Sequence, residues 1–194
     1  ERDQLKPGYS IILGTPWALR HVLKANLLFV SRTKLDRLSK IYIVFDRTPQ
    51  PGAEPFIETI RRDFPSLPLK FRFHPPLAGR IARLANTSKF FAGLNWLTGL
   101  QACETQFAIL HDFDLYPVDP QYFERIVQAM EERKLWFSGA EYTHLDGVTD
   151  EDRLIGTWSL GIDVEALRRQ FQLAQCLHTY ARVGRRWVDL DAFS

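Results

Sequence analysis

Cysteine is scarce in this chain: two occur in 194 residues, Cys103 and Cys176. They have neither metal-ligand spacing nor a C-x-x-C pairing, which excludes a cysteine-built metal site and a dithiol redox centre. The sequence leaves a disulfide between them open and favours two buried thiols. No apolar run is long enough to span a bilayer, and no signal peptide is visible. The chain opens on Glu1 rather than Met, so a targeting segment ahead of it stays open. An excess of one charge is also lacking. With 25 Lys and Arg against 23 Asp and Glu, the net charge is +2, which makes no case for a nucleic-acid partner. The basic clusters "RRD" (61–63), "LRRQ" (167–170) and "GRRW" (184–187) read as solvated helix or loop faces, with a local phosphate contact as the alternative. Internal repeats and low-complexity segments are missing too.

What is present is an ordinary globular composition, 45% hydrophobic and 25% charged, enough to bury a core without disulfides or structural metals. Fourteen Phe and five Trp exceed what a core needs, and some are expected to line a ligand cleft.

Strand and helix patterns alternate. "YSIILGTP" (9–16) reads as a buried strand, with Thr15 as N-cap and Pro16 in the first turn of the helix "PWALRHVLKANLLFV". "KIYIVFD" (40–46) and "LKFRFH" (69–74) read as strands, with "FIETIRRDF" (56–64) as a helix between them. An irregular connection follows. A helix from about Thr87 then delivers the chain to the strand "FAILHDFD", and another helix begins near Asp119. "LWFSGAEY" is a strand, "THLDGVTDEDRLIGTW" a polar excursion, and "SLGIDVEALRRQF" a strand edge before a helix. The tail shows no clear terminal element. This order predicts an α/β fold with a central, mostly parallel sheet flanked by helices. Thr15, Asp46, His74 and the "HDFD" run (111–114) then fall at strand ends, on the one edge where such sheets bind ligands.

The abrupt end of the apolar run Phe107–Leu110 in His111-Asp112-Phe113-Asp114 calls for an explanation. In an extended chain, Asp112 and Asp114 share a face. Two carboxylates held together repel unless a cation or donors meet them. Mg²⁺ or Mn²⁺ is one answer, and both ions keep positions open for substrate phosphates. A pair of turn carboxylates, one capping the next helix, is the other. His111 alternates away from Asp112 and reads as a satisfied structural histidine rather than a ligand.

With these residues in place, the chain resembles the GT-A-fold glycosyltransferases of the family 2 kind. "GLNWLTGLQACETQFAILHDFD" is similar to their helix–strand passage into D-x-D, "TWSLGIDVEALRR" to their acceptor-side segment, and "RRWVDLDAF" to the element carrying the catalytic carboxylate. The resemblance implies one GT-A-like domain over 1–194. About 1–118 would be the nucleotide-sugar-binding half and about 119–194 the acceptor-side half, with a truncated C-terminus left open. It implies a hexosyltransferase-type enzyme that takes a nucleoside diphosphate sugar, a UDP-sugar favoured, to a glycan or lipid-linked acceptor, with inversion. Asp112 would contact ribose or metal, Asp114 would ligate Mn²⁺ or Mg²⁺, Asp46 would meet the base or ribose, and Asp189 would be the general base. Val188 and Ala192 depart from the family's pattern around that base. A cytoplasmic location, with peripheral association at the inner face of the membrane, goes with the same resemblance.

The chemistry assigns further residues. Negative charge grows on the departing diphosphate, and Arg80, Arg83 and Lys89, ahead of the D-x-D strand, are in place to offset it. Their alternative is surface charge on a helix. Thr15 sits at the nucleotide end of the first strand. Glu141 and Asp191 stand behind Asp189 as bases. Trp158 and Trp187, beside Gly-containing turns, could stack on a sugar or simply fill core.

Two other enzyme classes fit less well. A haloacid dehalogenase-like phosphohydrolase needs Thr or Val two residues past Asp114, where Tyr116 stands, and places its motif first in the fold. A nucleotidyltransferase needs a Gly-rich, Arg-containing loop that "ILGTPWALR" lacks. A non-catalytic domain that binds a nucleotide or glycan without turnover is the remaining alternative.

Overall fold

The computed structural model describes residues 4–46, 48–77, 80, 88–142, 154–173, 180–183 and 186–189, with the backbone alone at 88–89, 140–142, 154–157, 180–183 and 186–189. Strand β1 (Lys6–Thr15) leads through a 3₁₀ turn (Trp17–Leu19) into α1 (Arg20–Val30). Then come β2 (Leu38–Phe45), α2 (Ala53–Asp63), β3 (Leu69–Phe73), α3 (Ser88–Ala102) and β4 (Thr105–Asp112). The second half holds α4 (Tyr122–Arg133), β5 (Phe137–Tyr142), β6 (Leu154–Asp163) and α5 (Val164–Gln170), then β7 (Tyr180–Val183) and β8 (Arg186–Asp189).

Strands β1 to β6 form one sheet in the order β3-β2-β1-β4-β6-β5. The first four are mutually parallel, and β6 runs antiparallel to both β4 and β5. Burial on both faces explains the continuous apolar strands: Ile11, Ile12 and Leu13 of β1 are all fully buried. Alternation then sorts their side chains. Tyr9, Ile11 and Leu13, with Ile41, Ile43, Ile109 and their neighbours, pack against Leu23 and Leu27 of α1, Ile60 of α2 and Val127 of α4. Ile12, Tyr42, Val44, Ala108 and Leu110 pack on the other face against Trp96 and Leu100 of α3 and Leu167 of α5. Helix α1 keeps its apolar stripe, Leu23, Leu27 and Val30, at helical spacing. Helix α3 comes very close to the sheet, because a Cβ at Gly99 would collide with the Ile12 side chain.

Four local expectations are corrected. Thr15 is no N-cap: it is the last residue of β1, level with Phe45, and its carbonyl accepts from the Asp46 N–H at 3.4 Å. Strand pairing has taken the backbone that a cap would need, and Pro16 opens the turn instead. Helix α4 starts at Tyr122, because the Asp119 carboxylate accepts the Gln121 N–H in a turn before it. The residues "LIGTW" belong to β6, not to a polar excursion. The tail forms an antiparallel hairpin, β7 with β8, pairing Tyr180 with Asp189. Of the two cysteines, Cys103 is buried and free, as expected, while Cys176 lies outside the described residues. Among the described residues no helix is long and apolar enough to cross a membrane.

Candidate functional site

Parallel register brings the strand ends level. Thr15 stands opposite Phe45, which stands opposite Phe73, and Gly14 stands opposite Asp112. The ends of β1, β2, β3 and β4 therefore share one edge, and Asp46 and His74 directly follow β2 and β3. Between β1 and β4 the order of connection reverses, and open α/β sheets bind ligands outside the strand ends at such a switch point.

The D-x-D turn is held from below. Strand β4 ends at Asp112, so the alternation that would have placed Asp112 and Asp114 on one face stops there, and Asp114 is positioned by a turn. Leu115 N–H donates to the Asp112 carbonyl at 3.1 Å. The amide of Asn26, fully buried on α1, donates to the carbonyls of Leu115 (2.7 Å) and Asp112 (3.3 Å). His111 Nε2 donates to the Leu115 carbonyl at 3.1 Å, while its Nδ1 accepts from the Ser159 hydroxyl of β6 at 3.3 Å. Burial pushes the imidazole down to about 4, so the ring is neutral. It is the satisfied structural histidine expected. Above this base Asp112 is half-buried and Asp114 exposed. Among the described residues no group of three or more His, Cys, Asp or Glu gathers. Two carboxylates fit Mg²⁺ or Mn²⁺ all the same, since both ions fill their remaining positions with water and phosphate oxygens.

On the other side of the switch point, Asp46 Oδ1 accepts the Trp17 N–H at 2.8 Å, fixing the carboxylate against the turn after β1. Arg20 lies over the Trp17 ring at 4.6 Å and donates to the Trp17 carbonyl. Next along the edge is His74, 1% exposed, with Nε2 2.7 Å from Asn95 Oδ1. Burial lowers the His74 pKa against the raising effects of Asn95 and Asp46. Asn95, from α3, in turn rests on Gly14, where a Cβ would lie 3.0 Å from the Asn95 Cβ. Thr15 Oγ1, Asn26 Oδ1 and His74 Nδ1 are buried without a partner, each at a cost of about 1–3 kcal/mol.

The predicted residues divide by place. Thr15, Asp46, Asp112 and Asp114 share the carboxyl edge. The β4–β6 register pairs His111 with Ser159, which brings Trp158, 42% exposed, to the neighbourhood of Asp112. Glu141 lies on β5 opposite Ile155, one strand further out. Arg80 is exposed after β3. Lys89 opens α3 and Asp189 closes β8, each with the backbone alone described, while Arg83 and Asp191 lie outside the described residues. Asn26 and Asn95 were absent from the predicted set, and His74 was placed on this edge without a role. A polar residue within an otherwise apolar helical stripe was the signal for Asn26, and position after a strand was the signal for His74. An open concavity of about 570 Å³ lies where β2 and β3 begin, between Lys40, Arg61 and Lys70, at the opposite end from these groups.

No protein-family model and no curated protein matches the sequence. Solved structures do match the fold. A mannosyltransferase of Pyrobaculum calidifontis, in complex with GDP-Man and Mn²⁺, superposes with a TM-score of 0.62 at 11% identity, over 87% of this chain and 50% of that one. TarS 1–349 of S. aureus, in complex with UDP, superposes at 0.58 and 13% identity, over 84% of this chain and 48% of that one. The fold is of the GT-A type. The chain spans about half the length of these two proteins. Within this GT-A-type sheet, the Asp112 turn closes β4 at the switch point and the Asp46–His74 row lies to its β2–β3 side.

Proposed function

We propose that the protein is a metal-dependent glycosyltransferase that moves a sugar from a nucleoside diphosphate, a UDP-sugar by the resemblance, to a glycan or lipid-linked acceptor hydroxyl. One observation carries this: Thr15, Asp46, His74 and Asp112 converge on the carboxyl edge of parallel strands at the switch point of a GT-A-type sheet. Asp112 and Asp114 would hold Mn²⁺ or Mg²⁺, which supplies charge compensation for the diphosphate when bound. Asp46 orients the nucleoside, and Arg80, Arg83 and Lys89 meet diphosphate oxygens. Trp158, at the rim beside Asp112, offers an aromatic face to the sugar. In the transfer, the bond between the anomeric carbon and the diphosphate oxygen breaks and its electrons leave with the diphosphate. The acceptor oxygen bonds to that carbon from the opposite side and gives its proton to a carboxylate, Asp189 first, with Glu141 and Asp191 behind it. That geometry inverts the anomeric centre. Peripheral membrane association belongs to the lipid-linked acceptor.

The test is a thermal-shift panel of UDP, GDP, CDP and ADP, each with and without Mn²⁺. A ligand at about 100 times its Kd stabilises by roughly 2.7 kcal/mol. A shift that requires the metal is expected for at least one nucleotide. Asp114→Asn should abolish it while leaving the metal-free protein about as stable, since Asp114 is exposed and substitutions at such positions change little. The absence of any metal-dependent shift in the wild type would overturn the proposal. A normal shift in the variant would reduce Asp114 to a turn residue.

A further inference from the structure

We infer that Asn26 is a positioning residue for the metal: it holds the turn from Asp112 to Leu115 so that the Asp112 and Asp114 carboxylates meet the cation together. This rests on the metal-dependent reading above. Asn26 is fully buried in the stripe by which α1 packs on the sheet, where its companions are Leu23, Leu27 and Val30. Its amide nitrogen donates to two carbonyls that bracket Phe113 and Asp114, those of Asp112 at 3.3 Å and Leu115 at 2.7 Å. Both partners are carbonyl oxygens, which only accept, so the orientation of the amide is settled by its contacts. Neither carbonyl needs the amide for a partner. The Leu115 N–H already donates to Asp112 and His111 Nε2 to Leu115, each at 3.1 Å. Meanwhile Asn26 Oδ1 is buried without a partner among the described residues, and such an atom costs stability. A leucine of similar size would suit the stripe and avoid that cost. Local rules of this kind are broken chiefly at functional sites. What the amide adds is rigidity: one planar group fixes both ends of a turn that carries an exposed Asp114 beside a half-buried Asp112. Two carboxylates that repel one another would drift apart on a loose turn. A cation would then have to gather them at the expense of its affinity.

Calorimetric titration of the whole chain with UDP, GDP, CDP and ADP, each in excess Mn²⁺ and again in EDTA, tests this beside urea denaturation of the metal-free protein. The wild type should bind at least one nucleotide much more tightly in Mn²⁺ than in EDTA. Asn26→Leu should forfeit most of that gain, about tenfold or more in affinity. It should keep the wild-type affinity in EDTA and unfold at an equal or higher urea concentration. Asn26→Ala, which leaves a space instead of a new side chain, should show the same loss in Mn²⁺ and keeps the test open if leucine does not fit. Val30→Ala, in the same stripe of α1, should unfold at a lower urea concentration and keep the full gain from Mn²⁺. A residue that merely stabilised α1 would give the reverse at position 26, a lower midpoint with the gain unchanged. A gain from Mn²⁺ kept in both Asn26 variants, or lost equally in Val30→Ala, overturns the inference and leaves the metal reading standing. A wild type with no gain from Mn²⁺ overturns both.

Discussion

His111 is neutral because of where it sits. Its two ring nitrogens are paired with Leu115 and Ser159, its ring packs edge-on to Phe123 at 5.2 Å, and no solvent reaches it. Its folded pKa of about 4 lies below the value near 6.5 of an unfolded histidine. Between these values the unfolded chain binds more protons, so stability rises with pH through this window and is lost as pH falls through it. His74 is shifted in the same direction, mainly by burial. Urea denaturation of metal-free protein should therefore show a loss of about 2 kcal/mol from His111 between pH 7.5 and pH 5. His111→Gln should remove most of that slope. A slope unchanged in the variant would mean that other groups carry it.

At the scale of elements, the close approach of α3 to β1 makes a sharp test. Alanine in place of Gly99 gains about 1 kcal/mol of helix propensity. Its methyl, however, falls on the Ile12 side chain, and overpacking of a core costs about 1–3 kcal/mol. The contact should win, so Gly99→Ala should lower the denaturation midpoint. In a double-mutant cycle with Ile12→Ala, the pair should cost less than the sum of the two single changes. The elements themselves were largely legible in the sequence. Apolar runs bounded by turns marked β1, β2, β3 and β4, and the spacing of Leu23, Leu27 and Val30 marked α1. Their convergence at Asp46 and Asp112 followed from chain order alone. What was hidden depended on long-range pairing. Thr15 has the composition of a cap, and only pairing with β2 makes it a strand residue. The first half of β6, LIGTW, follows a polar run in the sequence, and only its pairing with β5 marks it as strand. The clamp on the Asp112 turn was invisible for the same reason, since Asn26 lies 86 residues away.

At the scale of the whole molecule, the proposed halves, about 1–118 for the donor and about 119–194 for the acceptor, assign different steps to different residues. Asp189→Asn keeps size and most hydrogen bonding but removes a proton acceptor. Turnover should fall by roughly a hundredfold or more, while nucleotide affinity, set by residues of the first half, stays as it was. Product analysis of the wild type should show an inverted anomer. A retained anomer, or normal turnover in the variant, would pass the role to Glu141 or Asp191.

Among the described residues, strand β3 forms one outer rim of the sheet, paired with β2 on one side. It is five residues long, and Lys70 and Arg72 stand exposed on it between half-buried Leu69, Phe71 and Phe73. An open rim invites a second chain to dock alongside it and extend the ladder. Here two identical molecules approaching rim to rim would bring ammonium and guanidinium groups together, and only a few hydrogen bonds would reward them. The cations beside the phenylalanines of β3 thus guard the protein against its own copies in crowded solution.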